Sequence, residues 1–193
     1  MASLRERNRL NAMRTVQRTA LPMFIERGFD GVTVEAVARE AGMAPSTVYR
    51  HFSTKEAIVL WDEHDPAIDR ALEERLLSQP PLDAMRAAFV EALGAHYDDD
   101  LEFQLARIRF IYSTEQLHAA AVEADLRNRT ELTEALRHFL GKQHQRAAPI
   151  LAGAALLALD VAIERWQADH ARRSLSAHVH DAFDTLEALA TIK

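Results

Sequence analysis

The stretch TVEAVAREAGMAPSTVYRHF, Thr33 to Phe52, holds two short helical patterns separated by Ala-Gly-Met. In the first, Val34, Val37, Ala38 and Ala41 fall on one face at i, i+3, i+4 and i+7, with Thr33 placed to cap the helix and Glu35 near its positive end. Gly42 follows the last periodic residue, where it can take a positive φ and let the second helix leave at a steep angle. Pro45-Ser46 opens that second helix, because proline loses nothing in a first turn whose N–H groups have no helical partner. Val48 and Phe52 face inward, which leaves Ser46, Thr47, Tyr49, Arg50 and His51 outward or sideways. Hydroxyls, a phenol, a guanidinium and an imidazole suit phosphates and major-groove base edges better than a core. The pattern therefore predicts a helix-turn-helix that binds double-stranded DNA.

Charge agrees once it is divided along the chain. The net charge of -6 taken whole argues against a nucleic-acid partner. Residues 1–54, however, carry eight arginines against five acids, a net +3 that leaves -9 for the remainder. A positive head on an acidic body concentrates attraction to phosphate at the reading surface. The basic run from Arg5 to Arg9 reads equally as a DNA-reaching arm or as a solvated helix start.

The residues from Gly42 to Ala57, GMAPSTVYRHFSTKEA, follow a long basic helix and the segment FIERGFDGVTVEAVARE, Phe24 to Glu40. Together they resemble the N-terminal domain of TetR/AcrR-type transcriptional regulators over about the first 60 residues. The resemblance implies a homodimer on a palindromic operator, with Thr33 and the segment Pro45 to His51 touching DNA and Lys55 contacting a phosphate. Tyr49 and His51 match the positions that grip the backbone, while Pro45, Ser46, Thr47 and Arg50 match those that read bases. The simpler roles remain open beside these: Thr33 as a cap alone, Tyr49 as a packed ring, Lys55 as a surface lysine.

Every long segment beyond residue 55 has helical periodicity, so the fold is expected to be all-α, a tri-helical DNA-binding domain at 1–54 followed by a larger effector-binding and dimerisation domain at 55–193. About nine helices are predicted, near 5–28, 34–41, 45–51, 55–77, 82–97, 101–113, 117–141, 147–169 and 174–190. Pro80-Pro81 and the acidic turn at 98–100 mark breaks, Ser174 caps the last helix, and Pro66 splits or kinks the fourth pattern.

The last two helices suit an intersubunit four-helix bundle. Ala154 and Ala158 belong to an alanine-rich stretch that permits close approach, Trp166 is its anchor, and Leu175, Val179 and Leu186 form an apolar seam on the next helix. For an effector pocket the apolar candidates are Trp61, Phe89, Leu93 and Phe103, then Ile108, Ile111 and Tyr112, with His96 and Arg107 as polar contacts. The same residues also describe an ordinary helical core. Arg107 to Glu123 paired with Arg165 to Leu189 is similar to the C-terminal half of mycofactocin-system regulators, which implies a fatty acyl-CoA or another long lipophilic effector; an unrelated apolar metabolite stays open as the alternative.

Other chemistry is set aside. With 48% hydrophobic content the chain can bury a sizeable core, and the absence of cysteine excludes disulfides and thiolate metal sites. The histidine groupings Asp62-Glu63-His64-Asp65, His138/His144 and His178/His180 lack an i, i+4 pair of ligands, so no metal and no cofactor are expected. No glycine-rich phosphate loop exists, and no enzyme is expected. The apolar stretch 147–163 is interrupted by Asp160 and reads as too short to span a bilayer, and the first ten residues do not resemble a signal peptide, so a cytoplasmic protein is expected. The expected mechanism is repression relieved when an effector moves the helix from Lys55 that joins the two domains. The competing reading is a helical small-molecule or protein-interaction module without specific DNA binding.

Overall fold

A computed structural model describes residues 3–63 and 65–189, with the side chains of 65, 66 and 94–96 outside that description. Its described residues form ten α-helices and no strand: α1 Leu4–Arg27, α2 Val34–Glu40, α3 Pro45–His51, α4 Lys55–Leu60, α5 Asp65–Leu76, α6 Pro81–Asp99, α7 Leu101–Ser113, α8 Glu115–Phe139, α9 Ala148–Ala168 and α10 Leu175–Leu189. A 3-10 turn at Lys142–Ala147 leads into α9. The all-α expectation holds. One predicted helix, 55–77, is two: α4 ends at Leu60, Trp61 is extended at ψ 127°, and α5 begins just before Pro66. Proline is tolerated in a helix's first turn, where its missing N–H costs nothing, which fits a second helix opening at this point.

The helices gather into two compact units, residues 1–63 with 107–121, and residues 64–106 with 122–193. The functional boundary expected at 54/55 is a different kind of division, placed at the start of α4.

In the first unit Val16, Phe24, Val37, Ala38, Val48 and Ile58 are fully buried, and α1 packs on α2, α3 and α4. Phe24, Phe29 and Phe110 meet edge to face at 5.2 and 6.4 Å. The α2–α3 turn closes as a Schellman motif: Met43 N–H donates to the Ala38 carbonyl at 2.8 Å and Gly42 N–H to Arg39 at 3.2 Å, with Gly42 at φ 66°. The turn before α2 is equally tight, since a Cβ on Gly31 would stand 2.5 Å from the Arg27 carbonyl oxygen.

In the second unit α9 packs on α10, and α6 contacts α5, α9 and α10. Its core includes Met85, Phe89, Leu136, Trp166, Leu175 and Phe183, with Phe89 on Phe183 at 6.1 Å and Tyr97 on Trp166 at 5.7 Å. Ser174 caps α10, its hydroxyl accepting from Ala177 N–H at 3.2 Å.

The helical stretch Lys142–Ala168, 27 residues, is long and apolar enough by length and composition to cross a membrane. That corrects the reading of 147–163 as too short, which counted only the run around Asp160. A helix at the core of a globular unit produces the same pattern: Ala148, Ala152, Ala155, Ala158, Ala162 and Trp166 are all buried along one side.

Candidate nucleic-acid interface

The first unit presents α3 on a rigid base. Val48 and Phe52 are buried and fix the helix, whose Pro45, Ser46, Tyr49 and Arg50 are exposed and whose Thr47 and His51 are partly so. α3 has no side-chain N-cap; Thr47 and Val48 donate their N–H groups to the Ala44 carbonyl. Thr33 does cap α2, accepting from Ala36 N–H at 3.2 Å, and remains exposed.

Two predicted DNA contacts are already engaged within the unit. The Tyr49 hydroxyl donates to Glu35 Oε1 at 2.8 Å, which raises the phenol's pKa. Glu35 is held below the usual carboxylate range by its own backbone N–H first, then by Tyr49 and by the Thr33 hydroxyl. Lys55 Nζ donates to the Phe29 carbonyl at 2.7 Å and lies 4.1 Å over the Phe29 ring, tying the start of α4 to the turn before α2. His51 is pushed below its ordinary value, by burial first and then by the charges of Arg50 and Arg9. Arg9 therefore acts on the end of α3, and the run Arg5 to Arg9 is helical, capped by the Ser3 hydroxyl.

Behind this surface a polar network holds the end of α4. The Trp61 carbonyl accepts from Gln17 Nε2 at 2.6 Å and from Arg107 at 2.8 Å, and Arg107 also pairs with Asp62 at 2.6 Å. Glu63 pairs with Arg14. Asp62 and Glu63, grouped in sequence with a histidine, are thus spent on ion pairs. Gln17 and Asp62 were not predicted site residues; Gln17, a polar residue in an apolar stripe with Met13, Val16 and Ala20, carried the only signal.

The effector candidates divide between the units. Trp61, Arg107, Ile108, Ile111 and Tyr112 belong to the first and Phe89, Leu93 and Phe103 to the second, while the His96 side chain lies outside the described residues. Trp61 packs on Phe52 at 6.0 Å, Tyr112 lies against His118 at 5.6 Å, and Ile108 and Ile111 are buried. Phe89 and Leu93 sit in the core. Among the dimer candidates, Ala158, Trp166, Leu175 and Val179 are buried within their own unit and so present no surface, whereas Ala154 and Leu186 are partly exposed. The large apolar side chains that α9 does expose were overlooked, Ile150 at 73% and Leu157 at 63%, whereas Leu189 of the seam on α10 is exposed as a surface residue can be.

Residues 18–60 match the family described as bacterial regulatory proteins, tetR family, and residues 79–191, more than half of the chain, match the MftR C-terminal domain. The chain belongs to the TetR family. It is 34% identical over 123 residues to the HTH-type transcriptional regulator TcmR of Streptomyces glaucescens, a match covering 60% of this chain and 54% of TcmR. It is 29% identical over 108 residues to the HTH-type transcriptional repressor KstR2 of Rhodococcus jostii strain RHA1, covering 50% and 53%. The chain thus spans about half the length of these curated relatives. In fold it is similar to NalD of Pseudomonas aeruginosa, the secondary repressor of a multidrug efflux pump, with a TM-score of 0.56 at 20% identity and 94% and 96% of the two chains covered. As a TetR-family chain it joins a family of regulators rather than of enzymes.

Proposed function

We propose that this TetR-family chain is a cytoplasmic, ligand-responsive repressor that binds a palindromic operator as a homodimer. The observation that carries this is α3, a short helix fixed by buried Val48 and Phe52 whose other side exposes Tyr49 and Arg50 beside His51 and exposed Thr33. In the proposed complex Tyr49, His51, Thr33 and Lys55 hold phosphates, and Pro45, Ser46, Thr47 and Arg50 meet base edges. Residues 1–54 form the DNA-binding domain and 55–193 the effector-binding and dimerisation domain. Two copies associate through the outward side of α9, Ile150 with Ala154 and Leu157, joined by Leu186 and Leu189 of α10. The names of TcmR and KstR2, a regulator and a repressor, support this reading.

The effector is a small lipophilic molecule, and a long-chain acyl-CoA is the class we favour from the match to the MftR C-terminal domain. Its anionic part would compete with Asp62 for Arg107, whose guanidinium also holds the Trp61 carbonyl, and so loosen the end of α4. Release of DNA then follows if the effector binds the freed state more tightly than the held one. The experiment is a gel shift of the purified protein on DNA immediately upstream of its own coding region, at two salt concentrations, with and without a long-chain acyl-CoA. Salt-sensitive binding to one palindromic segment, released by acyl-CoA, supports regulator and effector together. Binding that acyl-CoA leaves intact contradicts the effector class alone.

A further inference from the structure

We infer that Glu35 is a built-in stand-in for a backbone phosphate: its carboxylate occupies the Tyr49 hydroxyl in the free protein and must be displaced before the DNA backbone can take it. The inference rests on the DNA-binding reading above and concerns what the reading head does before DNA arrives.

Three observations converge. The Tyr49 hydroxyl donates to Glu35 Oε1 at 2.8 Å across 14 residues of sequence, so this is a contact made by the α2–α3 fold and not by neighbours on one helix. Thr33, whose hydroxyl oxygen accepts from Ala36 N–H at 3.2 Å, caps the same first turn of α2 that carries Glu35. All three side chains are exposed, so nothing in the fold requires them to be paired; water would serve either hydroxyl. A carboxylate and a phosphodiester oxygen are both anionic acceptors of an O–H donor, and the shared chemistry makes them alternatives at one place. The carboxylate carries its own penalty as well, because a negative charge held against this surface repels the phosphate that approaches it. Glu35 therefore orients the Tyr49 hydroxyl for an anion while lowering the affinity for every DNA, operator or not. It acts through Tyr49 and is a positioning residue.

The test is fluorescence anisotropy with a labelled duplex of arbitrary sequence and full-length protein, comparing wild type, Glu35→Gln, Glu35→Ala, Tyr49→Phe and the double variant Glu35→Gln/Tyr49→Phe. Thermal unfolding of each variant confirms that the exposed substitutions leave the fold intact. Glu35→Gln is expected to bind DNA about two- to fivefold more tightly, as loss of one exposed charge interaction allows. Glu35→Ala, which also removes the acceptor, should gain at least as much. In the Tyr49→Phe background the gain should shrink to the part that loss of the Glu35 charge gives by itself, since the Tyr49 hydroxyl is no longer there to be contested. Unchanged or weaker binding by both Glu35 variants overturns the inference while leaving DNA binding itself standing. A gain that persists undiminished in Tyr49→Phe also overturns it, because charge alone would then account for the effect. A folded wild type that binds no duplex at low salt overturns the DNA-binding reading itself.

Discussion

At the scale of single residues, the proposed complex puts backbone grip and base readout on one seven-residue helix. Tyr49→Ala should weaken binding to all duplexes by a similar factor with the dimer intact, whereas Arg50→Ala should cost about 1–3 kcal/mol on the operator and flatten preference at particular base pairs. Competition between operator and scrambled DNA measures both; an Arg50→Ala protein with unchanged affinity and preference would show that the guanidinium reads nothing. A second residue sets a pH dependence of stability. Asp160 on α9 is pushed up to about 6, by burial first and then by Asp125 and Glu164. The folded state holds this proton more tightly than the unfolded chain, so the cost to stability is absent near pH 4, grows between about pH 4 and 6 as the carboxyl ionises, and is fully present above. Asp160→Asn should therefore stabilise the protein at pH 7.5 by about 1 kcal/mol, a figure reduced for a site partly open to water, with the difference fading toward pH 4 in denaturant melts. These residues were unequally legible. Thr33 as a cap and Val48 and Phe52 as inward anchors follow from spacing alone. The Tyr49–Glu35 bond does not, because it depends on the angle at which the Gly42 turn sends α3 away from α2.

At the scale of elements, sequence periodicity located nearly every helix and failed where a tertiary contact ended one. The apolar positions Ile58, Val59 and Trp61 read through into the next pattern, with Pro66 as the only warning. The break falls at Trp61 because its carbonyl is taken by Gln17 and Arg107, partners 44 and 46 residues away, and such contacts leave no local signature. The α9–α10 connection has the opposite character, a local turn built from unfavourable residues. His170 and Ala171 stand at φ 61° and 55° without being glycine, and Ala171 N–H closes the turn on the end of α9 by donating to the Trp166 carbonyl at 2.9 Å. His170→Gly should raise stability by about 0.5–1 kcal/mol, since glycine occupies the left-handed region without a Cβ penalty. Thermal unfolding checks this, and a lower melting temperature would show that the His170 ring, which contacts the Ala168 carbonyl at 3.1 Å, contributes more than the backbone costs.

At the scale of the whole molecule, the proposed function needs two copies, and the surface for the second copy was the least legible part. Alternation along α9 marks an apolar helix but not which side meets its own subunit: Trp166, Leu175 and Val179 are interior, while Ile150 and Leu157 point to solvent. Composition cannot distinguish those fates, because both sides of α9 are apolar and the positions of α6 and α10 decide. Leu157→Glu should leave the fold intact, yield a monomer by light scattering and reduce operator affinity at least tenfold, since one subunit reads a single half-site. A Leu157→Glu protein that remains dimeric would place the interface elsewhere. The measurement that bears most directly on the central claim is selection of binding sites from a random duplex library by the purified protein at moderate salt, followed by sequencing. The account predicts enrichment of one pseudo-palindrome with half-sites about one helical turn apart; recovery of duplexes with no shared sequence would contradict it.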